Sequence, residues 1–170
     1  MILRRPLRAL VYGTFYRLPP RLRRRLVRVA VPKYIVGGVT LVYDSEAPGP
    51  GRLLLVRQPP GRSWGLPAGL LKKGEPPAVG AARELVEETG VAVDPADLRP
   101  AAPNAVVHAK GWVDVVFTAS VPASTTALVA DGAEVIEVAW HPLHELPRLT
   151  PVTAYLLGLY GIGPASGPPP

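Results

Sequence analysis

Three glutamates, Glu84, Glu87 and Glu88, lie close together in a segment with helical spacing. At ~100° per residue, a helix over 75–89 sets them inside one ~100° arc. Ala78, Ala81, Ala82, Leu85 and Val86 fill the arc opposite and read as the face that packs on a core. Like charges three and four residues apart repel by roughly 0.2–0.5 kcal/mol per pair even in water. A solvated acidic face is one explanation. A hard divalent cation with oxygen ligands is the other, since it turns the repulsion into coordination. Arg83 stands four residues before Glu87 and can hold that carboxylate in place. Gly80 falls on the acidic side, where a missing side chain would leave room for a ligand.

The elements that must position these groups can be read around them. Tyr34–Tyr43 and Arg52–Arg57 are apolar, β-rich runs joined by the acid-, Pro- and Gly-containing turn 44–51, a predicted hairpin. Trp64–Leu71 reads as short extended pieces broken by Gly and Pro. The helix over Glu75–Thr89 has a proline, Pro76 or Pro77, where the first turn tolerates one, and Gly90 where a helix stops. Val106–His108 and Trp112–Val121 read as strands paired around Lys110 and Gly111. Val135–Trp140 is a further strand and Pro142–Leu146 a helical turn. Pro151–Tyr160 is a terminal helix with Tyr155, Leu156 and Leu159 as its buried stripe. Strands and helices mix without regular βαβ alternation, which points to an α+β chain with a sandwiched mixed sheet.

The flanks of the acidic helix add a pattern. From Gly69 the chain reads GLLKKGEPPAVGAARELVEETGV. This resembles the signature of the Nudix hydrolase family at Gly69, Glu75, Arg83, Glu84, Leu85, Glu87, Glu88, Gly90 and Val91. The preceding Trp64-Gly65-Leu66-Pro67-Ala68-Gly69 is similar to the family lead-in, with Ala68 where Gly is frequent. The resemblance covers roughly 34–160 and is strongest over 64–91. It implies an α/β/α sandwich, a mixed sheet between helices, with the motif forming loop–helix–loop.

That resemblance implies hydrolysis of a nucleoside diphosphate linked to another moiety, with Mg²⁺, or Mn²⁺ in its place, bridging the pyrophosphate. Carried over by position, Glu84, Glu87 and Glu88 are the metal carboxylates and Gly69 offers its carbonyl. Arg83 orients a box glutamate, and Glu75 and Gly90 support the loop and helix. The general base is open among Glu84, Glu134 and Glu137, and Glu137 reads equally as an exposed strand residue. Trp64, Asp114 and Arg57 are candidate substrate contacts, with loop packing for Trp64 and an outward-facing strand position for Asp114 as the alternatives. His108, His141 and His144 have no motif and read as structural or exposed. Lys72 and Lys73 either face the phosphates or are solvated. Neither the downstream Pro that marks ADP-ribose enzymes nor the Tyr that marks dinucleoside-polyphosphate enzymes is in register, so neither substrate label transfers. The competing function is a Nudix-fold module that binds a ligand or nucleic acid without turnover. An isomerase on the same fold would use a cysteine, and there is none.

Composition bounds the rest. The chain has 170 residues, 48% hydrophobic and 19% charged, which suits one domain with a short extension and excludes wholesale disorder. With no cysteine, a disulfide framework, a zinc–thiolate site and a cysteine nucleophile are all excluded. The net charge of +6 divides unevenly. Residues 1–33 hold nine Arg and Lys33 with no acid, and residues 34–170 hold nine bases against all thirteen acids. The expected organisation is a basic helical extension over 1–33, a hydrolase domain over 34–160, and a disordered Pro/Gly tail over 161–170.

In the extension, Leu3, Leu7, Leu10, Val11 and Phe15 fall on one stripe beside Arg4, Arg5 and Arg8. Pro20 then opens a second helix with Leu22, Leu26 and Val29 on one side and Arg21, Arg23, Arg24, Arg25 and Arg28 outward. Packing on the domain or a partner subunit, contact with an anionic membrane surface, and contact with nucleic acid are its three uses. Nucleic acid is the least supported, because aromatic interleaving is thin. The partners expected are a small nucleotide substrate and, as the family allows, a second copy in a homodimer. With no export feature, the compartment expected is the cytoplasm, with peripheral membrane contact through 1–33 as the variation.

Overall fold

Apolar runs as continuous as VTLV and LLLV are buried on both faces when they form strands in the middle of a layered sheet. The computed structural model of the chain describes residues 5–49, 51–109 and 111–163. Its contacts divide the chain into two units, 1–33 and 34–170. The first unit contains α1 (Arg5–Arg17) and α2 (Pro20–Ala30), separated at the expected proline break. Of the expected features, Leu3, Arg4, Lys110 and most of the Pro/Gly tail lie outside the described residues.

The second unit contains β1 (Ile35–Asp44), β2 (Arg52–Arg57), β3 (Trp64–Gly65), β4 (Ala68–Leu70), α3 (Pro77–Thr89), β5 (Arg99–His108), β6 (Trp112–Val121), β7 (Glu137–Pro142) and α4 (Pro151–Leu159). The strands form one mixed sheet in the order β3-β2-β1-β6-β5, with β4 on β1 and β7 on β2. Strands β1 and β6 run parallel, in register from Ile35–Trp112 to Asp44–Val121. Alternation along β1 and β2 sends Val39, Leu41, Leu53 and Leu55 to one face, where they meet Leu156 and Leu157 of α4. Val42 and Leu54 go to the other face and meet Leu85 of α3 and Val91. The chain is therefore an α+β sandwich, a mixed sheet between helices.

Several local expectations are corrected by long-range pairing. Among the described residues, strands β1 and β2 pair as a hairpin at Tyr43–Leu53, and β4 takes the edge of β1 from Gly37 to Val39. The six positions of β2 pair with β7 instead. Strand β5 begins at Arg99, well before Val106, and carries an irregularity between Pro100 and Ala105. It is an edge strand, where a proline without an N–H costs no ladder bond. Residues 142–146 form a turn, with Glu145 N donating to Pro142 O, and no helix. In α4 the buried face is Thr153, Leu156 and Leu157, continued by the half-buried Tyr160, while Leu159 is exposed. That set follows the i, i+3, i+4, i+7 rule, which the stripe through Leu159 does not.

Two close approaches position α3. A Cβ on Gly38 would lie 3.0 Å from the Ala81 backbone, so glycine at this position of β1 lets the helix sit directly on the sheet. At the other end Gly90 adopts φ +75°, and its N–H donates to Val86 O. A side chain would be strained in that left-handed conformation. The face of α3 that packs is Gly80, Ala81, Ala82, Leu85, Glu88 and Thr89. Val86, expected in the packed arc, is exposed.

Leu85 is fully buried. Leu85→Ala is expected to lower the unfolding free energy by about 2–5 kcal/mol in urea titration. Val86→Ala is expected to change it by about 0.5 kcal/mol or less.

Candidate active site

Arg83 is the hub of the acidic helix. Its Nε and Nη2 donate to both oxygens of Glu75 at 2.9 and 3.0 Å, a bidentate pair with both side chains largely buried. Its Nη1 donates to Glu84 at 2.7 Å and to Glu87 at 3.0 Å, and Nη2 reaches Leu70 O at 3.1 Å. The i,i+4 tie to Glu87 expected from spacing is present, but it is the most exposed of the three ion pairs. Glu75 lies just before α3, not within it, because the helix begins at Pro77. It also accepts from Lys72 N at 2.8 Å, which closes the 70–75 loop on the helix. These bonds, Arg83 first and the Lys72 N–H next, hold the Glu75 carboxyl down at about 2. Glu75 first, then Glu84 and Glu87, push the Arg83 guanidinium further up.

Glu88 behaves differently. It is 4% exposed and accepts from Ala68 N at 2.9 Å and from Gln58 Nε2 at 3.1 Å. Burial raises it to about 7, and the nearby Glu84 adds to the rise, against the lowering from the Ala68 N–H. Glu84 presses against the loop backbone, so that a Cβ on Gly69 would overlap its carboxyl. Glycine at 69 thus leaves the space that Glu84 occupies. Gly80 does not leave room for a ligand. Its missing side chain is replaced by Leu71 and by Glu75, whose Oε2 would lie 3.0 Å from a Cβ.

The three helix glutamates, Gly69, Asp114 and Glu134 line one cavity of about 460 Å³. Gln58 and Trp112 are also on its wall. Among the described residues, no three carboxylate or imidazole groups already surround a common point. Arg83 takes Glu84 and Glu87, while Gln58 and Ala68 take Glu88. The donor set is nevertheless all hard oxygen, and the Glu87 side chain is 55% exposed. Such a set fits a divalent cation of the Mg²⁺ kind and suits no soft metal.

A second cavity of about 360 Å³ adjoins the first and shares Ala68, Trp112 and Asp114 with it. It is lined chiefly by Val39, Leu66, Val152 and Leu156, with His108 at its polar end. Asp114 is buried on β6, and its two oxygens meet Trp112 Nε1 at 2.8 Å and His108 Nε2 at 2.9 Å. It therefore faces inward.

The remaining candidates separate. Glu134 sits on the acidic cavity, at the end of a turn in which Asp131 accepts from the N–H groups of 133, 134 and 135. Glu137 faces Arg57 across β7 and β2 and is ion-paired with it. Arg57 in turn lies over the Trp64 ring at 5.4 Å, and Trp64 packs edge-on against His141 at 4.4 Å. Trp64, Arg57 and Glu137 thus form a packed cluster apart from both cavity walls. Lys72, Lys73 and His144 are exposed. Trp112, His108 and Gln58 join the cavity walls without any motif to mark them in the sequence. The strand alternation that puts Trp112 and Asp114 on one face was the available signal.

The NUDIX domain family model matches residues 34–158, and the chain belongs to that family. A MutT-like protein of Streptomyces ambofaciens is 38% identical over 82 residues, 48% of this chain and 47% of that protein. A nucleoside triphosphate pyrophosphatase/Nudix hydrolase fusion protein of Bifidobacterium longum is 31% identical over 94 residues, 55% of this chain and 19% of that protein. The chain thus spans about half or less of these relatives. Among solved structures, a MutT NUDIX hydrolase from Burkholderia pseudomallei superposes with a TM-score of 0.58 at 27% identity, covering 71% of this chain and 93% of that one.

The Glu75–Arg83 tie has a pH signature. The folded carboxyl is held at about 2 against 4.5 for the free group, so the unfolded chain binds more protons between those values. The tie's contribution to stability is therefore complete above pH 4.5 and is lost as pH falls toward 2. Glu75→Gln is expected to be less stable than wild type at pH 7 in urea titration. Its stability should then fall less steeply between pH 5 and pH 3. Parallel pH profiles would refute the assignment.

Proposed function

We propose that the chain is a divalent-metal-dependent pyrophosphohydrolase acting on a nucleoside diphosphate linked to another group. The observation that carries this reading is the meeting of an acidic cavity walled by Glu84, Glu87 and Glu88 with an apolar cavity along Ala68, Trp112 and Asp114. A diphosphate needs the first and the organic part of such a substrate needs the second. Mg²⁺ or Mn²⁺ would be held by the three carboxylates and the Gly69 carbonyl, neutralising phosphate oxygens and making a bound water more acidic.

The chain's own groups divide the remaining work. The Glu75–Arg83 pair keeps the loop 70–75 and the helix in one arrangement. Water adds to phosphorus, the bridging P–O bond breaks, and the water proton passes to a carboxylate. Glu134 is the preferred acceptor of the two downstream acids, because it faces the cavity and Glu137 is neutralised by Arg57. Glu84 is the alternative acceptor within the helix. Asp114, held by Trp112 and His108, faces the join of the two cavities. There a carboxylate repels phosphate and accepts from hydroxyl or N–H groups of the attached moiety.

The test is product release from nucleotide sugars, ADP-ribose, dinucleoside polyphosphates, NADH and nucleoside triphosphates with Mg²⁺ or Mn²⁺. Selective turnover is expected, with Glu87→Gln reducing it to near background. No turnover on any substrate with either metal, with ligand binding retained, would favour a non-catalytic module instead. If Glu134 accepts the proton, Glu134→Gln lowers kcat by about 10²-fold or more. Glu137→Gln stays within a few-fold of wild type, and the reverse order would reassign the base. Trp112→Ala is expected to raise KM at least tenfold with a smaller change in kcat. An unchanged KM would place the organic group outside the apolar cavity.

A further inference from the structure

The two helices of the first unit are built for an environment that the unit itself does not provide. In α2, Leu22, Leu26 and Val29 fall inside a ~60° arc at ~100° per residue. Arg21, Arg23, Arg24, Arg25 and Arg28 occupy the rest of the circumference. None of the eleven residues of α2 is buried, and Val29 is 87% exposed. On α1, Leu7, Leu10 and Val11 form a second apolar stripe, and all three are exposed. Tyr12 and Tyr16 are exposed beside it, with Arg23 of α2 lying over the Tyr16 ring at 5.9 Å.

Helices this short are marginal in water without packing or favourable side-chain pairs. Here the pairs are unfavourable, since nine Arg and Lys33 stand in residues 1–33 with no acid to offset them. Two things would relieve both defects at once, a dense negative charge and an adjoining apolar phase. A polynucleotide offers the first but leaves Leu22, Leu26 and Val29 in water. The headgroup boundary of an anionic bilayer offers both. The leucines and valine sink toward the acyl chains while arginine tips reach back to phosphates, and tyrosine rings suit the headgroup level. Among the described residues no helix is long and apolar enough to cross a membrane, so contact would be along the surface.

We propose that residues 5–30 bind an anionic phospholipid surface with α1 and α2 lying in its plane. This stands apart from the catalytic reading above and can fail without it.

The experiment is flotation of the full chain with phosphatidylcholine vesicles, with and without phosphatidylglycerol, at low and physiological salt. Binding to the phosphatidylglycerol vesicles alone is expected, with partial loss on raising the salt. Replacing Leu22, Leu26 and Val29 together by serine keeps every charge and is expected to reduce the bound fraction about tenfold. Replacing Arg24, Arg25 and Arg28 by glutamine should do the same. Thermal melts of both variants would confirm that the domain remains folded. The proposal is overturned if the full chain does not float, or if the serine variant floats like wild type, which would mean charge attraction alone. Binding to single-stranded RNA that outcompetes the vesicles and ignores the serine changes would also overturn it, making the extension a nucleic-acid arm.

Discussion

The candidate site depends on a single guanidinium. Arg83 ties together Glu75 on the incoming loop, Glu84 and Glu87 on the helix, and the Leu70 carbonyl. Without a cation nearby, three clustered glutamates repel one another and the helix surface they share. With Arg83 in their midst, two of them gain an N–H partner and the loop is locked to the helix at the same point, although one positive charge there faces three carboxylates. The strongest part of this network is the forked pair with Glu75, which is nearly enclosed and uses both carboxylate oxygens. The exposed arm to Glu87 adds little stability, so that carboxylate can be given up to a ligand cheaply.

Packing explains how such a charged helix can sit on an apolar sheet. Gly38 lets the α3 backbone come down against β1 through Ala81, and Leu85 anchors the helix among Val42, Leu54 and Val91. The close fit carries Glu88 under the surface, where it finds Ala68 N and Gln58. The same sheet brings Asp114 to the boundary of an acidic and an apolar cavity. One buried strand therefore serves two chemical environments, and the Asp114 hydrogen bonds to Trp112 and His108 set its side chain between them.

The first unit follows another logic. Its helices carry an arginine face, and the apolar stripe of α2 has no buried residue, so the stability of α2 has to come from whatever it contacts. The second unit carries nine bases against thirteen acids and buries its apolar residues on both faces of a sheet. One chain thus joins a basic element with apolar side chains left exposed to an enclosed, mildly acidic fold.

What depends on neighbours along the chain was legible in the residues alone. Helical spacing put Glu84, Glu87 and Glu88 together, Gly90 stopped their helix through its left-handed backbone, Pro20 opened α2, and the family pattern over 69–91 was complete. Folded packing settled what depends on partners far apart in the chain. It buried Glu88 and left Val86 outside, because the rotation of α3 is set by the contact of Ala81 with Gly38. It paired β2 with β7, and that register sent Glu137 to Arg57 while the Asp131 turn left Glu134 on the cavity. It turned Asp114 inward to His108 and Trp112, which strand propensity cannot foretell, since alternation specifies two faces but not which of them is enclosed.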